Sequence, residues 1–368
     1  MAQKRENGLD LLRVIAAILV CAVHVCNVGR EQAVNLQDPN FTFHFFYVIF
    51  HLAQAAVSCF VALSGAFILK ASSTKDYLSF YRRTWKKVVI PTIVFSVFYI
   101  LFETIQNCML SPEQSNLAGT FLMTLTGKIV MGIMGFPAVH MWYMFMLMVL
   151  YLLAPFVALA KEHMGERNFA KAAFILWFLG AVDAVSHQTR ISWSLGYTAD
   201  LLGIFMLGYV LHEWASKKKG ETAVGFGLIA GGCCLIAVEY LIWFVIRNNE
   251  AVAQFFQQRP HNPFLSMGAL LCIAGFTILE IRGNFGTLSL LTLWVYIVHP
   301  AVIAIVCGIE SVLLHIPFQE VGIEKPVLVG SINIVLVVIL SFIIAWFVEK
   351  VMQRPGKPSG GKTKGGNV

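Results

Sequence analysis

Between residues 9 and 350 the chain is a succession of apolar stretches, each near the length of a membrane crossing and poor in charge. A helix needs about 20 mostly apolar residues to span the hydrocarbon core of a bilayer. Inside that core every backbone N–H and C=O must find a partner within the protein, which leaves helices or a closed barrel. Long apolar runs without alternation suit helices. The spacing predicts ten: 9–28, 44–70, 88–107, 140–160, 170–187, 199–214, 222–246, 264–282, 287–308 and 326–350. The segment 117–136 is interrupted by glycines and Lys128 and reads as an outer amphipathic or re-entrant piece, with an eleventh crossing as the alternative. The expected fold is an all-α polytopic membrane protein. It has one membrane domain over 1–350 and a flexible basic tail or linker over 351–368.

Composition agrees. Only 13% of residues are charged and 58% are hydrophobic, whereas soluble domains carry about 25% charged residues. The net charge of +7 would suggest a nucleic-acid partner if the cations were clustered, but they sit in the joints between apolar runs. With the N-terminus placed in the cytoplasm, 20 of the 27 Lys and Arg fall on the inner side and 6 on the outer, with Arg13 inside the first crossing. That asymmetry is the positive-inside rule. It predicts both termini in the cytoplasm, a multi-pass protein of the cell membrane, and a lipid bilayer rather than nucleic acid as the partner. Lys4 and Arg5 before an apolar run resemble a signal peptide, but the run is long enough to span and shows no small-residue cleavage site. The eight cysteines lie mostly in apolar runs without CxxC or Cys/His ligand spacing, so packing is expected of them, not disulfides or a metal. No internal repeat stands out, and a homo-oligomer is left open.

The first crossing, GLDLLRVIAAILVCAVHVCNVG, carries Arg13 and His24. Eleven residues of α-helix advance about 16.5 Å and return to within about 20° of the starting direction. The two side chains therefore share a face at different depths, Arg13 near the inner edge and His24 deep in the membrane. Singly, Arg13 reads equally as a side chain snorkelling to the inner headgroups, and His24 as an interhelical hydrogen bond. Jointly they suit a long anionic ligand arriving from the cytoplasm whose reactive end must reach far into the membrane. Coenzyme A, with phosphates at one end and a thioester at the other, has that shape.

Five stretches, in order, resemble the membrane-bound acyltransferase-3 family. They are LDLLRVIAAILVCAVHV with its Arg-x10-His, AVSCFVALSGAFIL (56–69), FYRRTWKKVVIP (80–91), HMWYMFMLMVLYLLAPF (140–156) and FGTLSLLTLWVYIVHP (285–300). The resemblance implies transfer of an acyl group, most often acetyl, from cytoplasmic acyl-CoA. The acceptor would be a hydroxyl or amino group of an extracytoplasmic or lipid-linked glycan or small molecule. The His-x-Trp stretch is similar to the branch that modifies surface polysaccharides. The membrane domain of the vancomycin-resistance serine racemases is a further relative, and this chain shows no racemase segment. It departs from the family in having Lys86 where the basic loop often has a second Arg, which replaces a bidentate grip with a point charge. It also has Ala66 before the aromatic Phe67 and no appended esterase-like domain.

Roles follow from the resemblance. His24 is the expected base, or the carrier of a covalent acyl group. Arg13 would act with Ser64, Gly65, Arg82, Arg83, Lys86 and Lys87 to hold acetyl-CoA, the co-substrate, with no metal required. His140, Trp142, His299 and His51 would meet the acceptor, with His44 and Gln54 near them. Each position also has a plainer reading. The basic loop is ordinary inner anchoring, Trp142 an interfacial anchor, His299 a packing residue before Pro300, and Gly65 a site of close helix approach. Glu103, Asp183, Asp200, Glu239 and Glu349 are polar groups near or inside crossings with no partner evident from sequence, Asp183 and Glu239 foremost. The competing function is a transporter or substrate-binding membrane domain. It would show helices broken at the midplane and two related halves.

Overall fold

The computed structural model describes residues 6–33, 39–70, 76–110, 117–133, 137–186, 196–249, 262–315 and 325–352. The tail beyond 352 lies outside them. Among the described residues every regular element is a helix. In chain order these are α1 (Asn7–Ala33), α2 (Phe41–Ile68), α3 (Tyr77–Thr84), α4 (Ile90–Leu110), α5 (Leu117–Ile133), α6 (Trp142–Ser186), α7 (Gly196–Ser216), α8 (Thr222–Ile246), α9 (Pro263–Ile278), α10 (Gly286–Leu314) and α11 (Pro326–Met352). A π-helical turn, Trp85–Val89, joins α3 to α4, and a 3-10 turn, Val139–Met141, precedes α6.

Among the described residues, seven helices are long and apolar enough to cross a membrane. The ten expected runs each fall on a helix or on part of one. Three of the ten runs are not separate members of the seven: 170–187 lies on the second limb of α6, 199–214 lies on α7, made more polar by Asp200, His212 and Glu213, and 264–282 lies on α9. The 45 residues of α6 are two helical limbs that meet at a kink at Gly165, whose φ of 72° and ψ of 158° are open to glycine and costly for other residues. α9 has 16 residues, about 24 Å of helix, which is short against a core of about 30 Å.

α1, α2 and α10 occupy the centre, and one large apolar cluster joins them to α6, α7, α9 and α11. Lipid is as apolar as leucine, so such helices associate through close packing and hydrogen bonds rather than through water exclusion. The α8–α9 pair shows how. Gly232 lies against Gly268 and Gly225 against Gly275, so closely that a Cβ on Gly232 would stand 2.6 Å from the Gly268 carbonyl oxygen. That backbone approach sets the level at which Asn262, the cap of α9, meets Glu239 of α8. Most other polar candidates also have partners. Lys128 of α5 is ion-paired with Glu103 of α4. The Trp294 indole donates to Glu349. Asp200 is buried against Gly180 of α6. The side chain of Asp183 lies outside the described residues.

Candidate functional site

Arg13 and His24 face the same neighbour, α10. The Arg13 guanidinium donates to the Ser289 hydroxyl at 3.3 Å and lies 4.9 Å from the centre of the Phe67 ring. The His24 ring centroid is 4.8 Å from that of His299. Ten residues separate Ser289 from His299, much as eleven separate Arg13 from His24. The two helices therefore run parallel and in step, and the shared face inferred from periodicity is the face turned to α10.

α10 carries Pro300 in its interior. Proline has no N–H, so the carbonyl four residues earlier, that of Tyr296, loses its helical donor. The His299 ring takes it, with Nδ1 2.7 Å from the Tyr296 oxygen. One residue on, the Tyr99 hydroxyl from α4 donates to the Ile297 carbonyl at 2.7 Å and accepts from the Ala301 N–H at 3.4 Å. Tyr99 thus clamps the helix where proline loosens it. The carbonyl acceptor puts the His299 proton on Nδ1 and leaves the lone pair on Nε2. That Nε2 is buried with no hydrogen-bond partner among the described residues.

His140 is the third imidazole. Its ring lies 5.6 Å from that of His299 and 4.5 Å from that of Tyr99, and its backbone carbonyl accepts the Tyr296 hydroxyl. The sequence reading places His140 and Trp142 at the outer mouth of the fourth crossing. In the structure α5 packs antiparallel on α4, with Lys128 level with Glu103 and Gly132 level with Ile100. His140 stands in the turn before α6, level with Tyr99 near the middle of α4. Trp142, half-buried and edge-on to Tyr143, opens α6. The segment read as amphipathic or re-entrant is the 17-residue apolar helix α5, packed on α4.

Beneath the imidazoles lies a cavity of about 240 Å³. Arg13, Ser64 and Lys87 line it, together with Tyr143, Tyr151, Ser289 and Tyr296. The Tyr143 and Tyr296 rings are 4.8 Å apart, and the Tyr296 ring is 5.8 Å from that of His299, so the upper wall of the cavity is the floor of the histidine group. The π-helical turn at 85–89 contributes Lys87 and Val88 to the lining. Arg82, Arg83 and Lys86 are exposed and do not line it, and Arg83 Nε donates to the Ser79 carbonyl of its own helix at 3.2 Å. Gly65 is also not in the lining. It packs on α7, where a Cβ would stand 1.7 Å from the Phe205 carbonyl oxygen.

His51 belongs to a different neighbourhood. Its Nδ1 is 2.8 Å from Glu239 Oε2, and both side chains are fully buried. His44 Nδ1 lies 2.7 Å from the Tyr240 hydroxyl. Gln54, one helical turn from His51, is half-buried. Although three imidazoles meet at the first site, no group of three His, Cys, Asp or Glu among the described residues is placed to hold a metal.

Sequence reasoning missed Tyr99, Tyr143, Tyr151, Ser289 and Tyr296. Tyrosine in an apolar run usually marks an interface, and nothing local distinguishes a deep one. Pro300 four residues after Tyr296 was the one available signal, since it frees a carbonyl that a neighbour must satisfy.

A family model described as an acyltransferase domain matches residues 6–348. No curated protein and no solved structure matches the chain.

Proposed function

Because the chain belongs to the acyltransferase-3 family, we propose that it moves an acetyl group from cytoplasmic acetyl-CoA to a hydroxyl or amino group of an extracytoplasmic or lipid-linked glycan or a small acceptor. The proposal includes ten crossings with both termini in the cytoplasm, the broken α5–α6 passage counting as one. The cavity carries the reading. It has cations from Arg13 and Lys87 at one end and the tyrosine floor of three imidazoles at the other.

In this reading Arg13, Lys87 and the exposed Arg82, Arg83 and Lys86 hold the phosphates of the donor by charge-assisted hydrogen bonds. Ser64 lies along the arm. An unprotonated ring nitrogen of His24 takes the proton of the acceptor hydroxyl as its oxygen bonds to the thioester carbonyl carbon. The C–S bond then breaks, and the leaving thiolate recovers the proton from His24. His299 cannot deliver a proton from Nδ1, which the Tyr296 carbonyl holds. It acts by presenting a fixed ring against which His24 packs.

The test is turnover of radiolabelled acetyl-CoA by purified protein in nanodiscs. His24→Ala is expected to lower turnover by about a hundredfold or more while leaving CoA binding in place. Arg13→Ala is expected to weaken CoA binding by about tenfold or more. Turnover and CoA binding untouched by either substitution would overturn the assignment. The broken crossing is a feature shared with carriers. Acceptor flux across vesicles without acetyl-CoA would favour that second reading.

A further inference from the structure

A second polar constellation lies on the other side of α2 from the histidine group. Gly29 of α1 packs on Phe46 of α2 in an antiparallel pair. Five residues down α1 is His24, and five residues along α2 is His51, so the two lie at one depth. His51 faces α8, where Glu239 Oε2 holds its Nδ1 at 2.8 Å, and Asn262 Nδ2 donates to Glu239 Oε1 at 3.2 Å. The carboxylate is thus occupied at both oxygens. It fixes the imidazole and leaves Nε2 on the far side of the ring, fully buried and with no hydrogen-bond partner among the described residues.

The unpartnered groups continue outward from there. Trp243, whose ring centroid is 4.7 Å from that of His51, is fully buried, and its indole N–H has no hydrogen-bond partner among the described residues. The same is true of a side-chain nitrogen of Gln54. Trp243 stacks on Tyr47 at 4.5 Å, and Tyr47 stacks on Phe43 at 4.5 Å. Two arginines bracket this stack. Arg30 lies 4.4 Å from the Phe50 ring centre and 5.3 Å from that of Tyr47 and donates to Asn27 Oδ1 at 2.7 Å, while Arg247 lies 4.1 Å from the Phe244 ring centre and 5.9 Å from that of Phe43 and donates to the Phe244 carbonyl; in each the Nε is buried with no hydrogen-bond partner among the described residues. Four N–H groups and one imidazole nitrogen, from three helices, are therefore gathered around a single aromatic stack. Buried donors are nearly always satisfied, and a set this dense, with two positive charges at its outer end, matches a ligand rich in acceptors and negative charge.

We propose that the outer ends of α1, α2 and α8 bind the anionic, hydroxyl-bearing head of a glycan, with Arg30 and Arg247 taking its phosphate or carboxylate and the Glu239-held His51 taking a hydroxyl deeper in. That this ligand is the acyl acceptor rests on the function proposed above; that the site binds it does not. A phospholipid headgroup carries the same phosphate chemistry at its outer end, but it brings no sugar hydroxyls to the level of His51.

The experiment measures binding of a hexose 1-phosphate, the probe, to the full chain in phosphatidylcholine nanodiscs, with the free hexose as control and acetyl-CoA binding followed in the same samples. Saturable binding of the phosphorylated sugar is expected, with a loss of about tenfold or more in Arg30→Gln/Arg247→Gln. Partial recovery is expected in Arg30→Lys/Arg247→Lys, which keeps the charge. His51→Asn is expected to weaken the sugar phosphate more than it weakens inorganic phosphate. No binding to the unmodified protein, or binding indifferent to the paired Gln variant, overturns the proposal. Competition by phosphatidylglycerol nanodiscs that abolishes sugar-phosphate binding assigns the site to a lipid headgroup and overturns it too. If acetyl-CoA fails to bind while the sugar phosphate binds, it is the transferase reading that fails.

Discussion

His24 and His51 sit at the same depth on adjacent helices, yet they are held in opposite ways. His51 is fixed by a carboxylate that is itself capped by Asn262. Among the described residues His24 has no hydrogen bond to either ring nitrogen, and packing against the His299 ring holds it. A buried imidazole tied to a carboxylate has one ring nitrogen committed and one fixed in direction. An imidazole held by packing keeps both nitrogens for a visiting group. The first arrangement suits recognition in a set pose, and the second suits proton traffic. Burying the His51–Glu239 pair is costly unless every lone pair is met; the histidine group avoids that cost by containing no carboxylate partner for His24 among the described residues.

The comparison can be broken most sharply at Glu239. Glu239→Ala takes the acceptor from both His51 and Asn262, leaves the histidine group's contacts in place, and strands a buried polar ring without its anchor. It is expected to lower stability by about 3 kcal/mol, read as a lower thermal midpoint in nanodiscs, with acetyl-CoA binding by the folded fraction unchanged. Equal losses of stability and CoA binding would mean that the two regions are one unit. A smaller effect is expected at the other imidazole's support. Tyr99→Phe removes the hydroxyl that bridges Ile297 and Ala301 beside Pro300. About 1 kcal/mol of stability should be lost, and turnover should fall through misplacement of His299. Undiminished turnover would show that the clamp has no part in the site.

The smallest effect is expected at the N-terminal end of α1, the helix that carries His24. Glu6 accepts from His212 at 3.1 Å, with Lys219 3.6 Å away. Burial works to raise the Glu6 carboxyl, but the hydrogen bond and charge of His212, with Lys219 and Lys70, outweigh it and hold the carboxyl below its usual range. Glu213 shares the cluster through His212 and Lys70. A carboxyl depressed in the folded state contributes stability that is present above its unfolded pKa and is lost as pH falls through the folded value. Thermal midpoints measured from neutral pH downward should therefore fall on the acid side, and Glu6→Gln should flatten that part of the profile. An identical acid profile in the variant would remove Glu6 as the cause.

Much of the layout was legible without coordinates. The apolar runs locate the helices, and about 100° per residue puts Arg13 and His24 on one face. The interruption at Lys128 falls within the separate helix α5. The meeting of His140 with Tyr99 and His299 was not legible, because it joins three helices far apart in the chain. Glu239 was noticed but left unpaired, because its partner lies 188 positions away.

What the sequence determined by itself is therefore local and periodic. It shows which stretches form apolar helices and which side chains lie together on one helix, because both depend only on the composition and pitch of a single segment. The tertiary structure alone decided which helix each face meets. Ser289 and His299 lie opposite Arg13 and His24, and Glu239 and Asn262 lie behind His51, because close approach of small residues sets the levels of helices that are far apart in the chain.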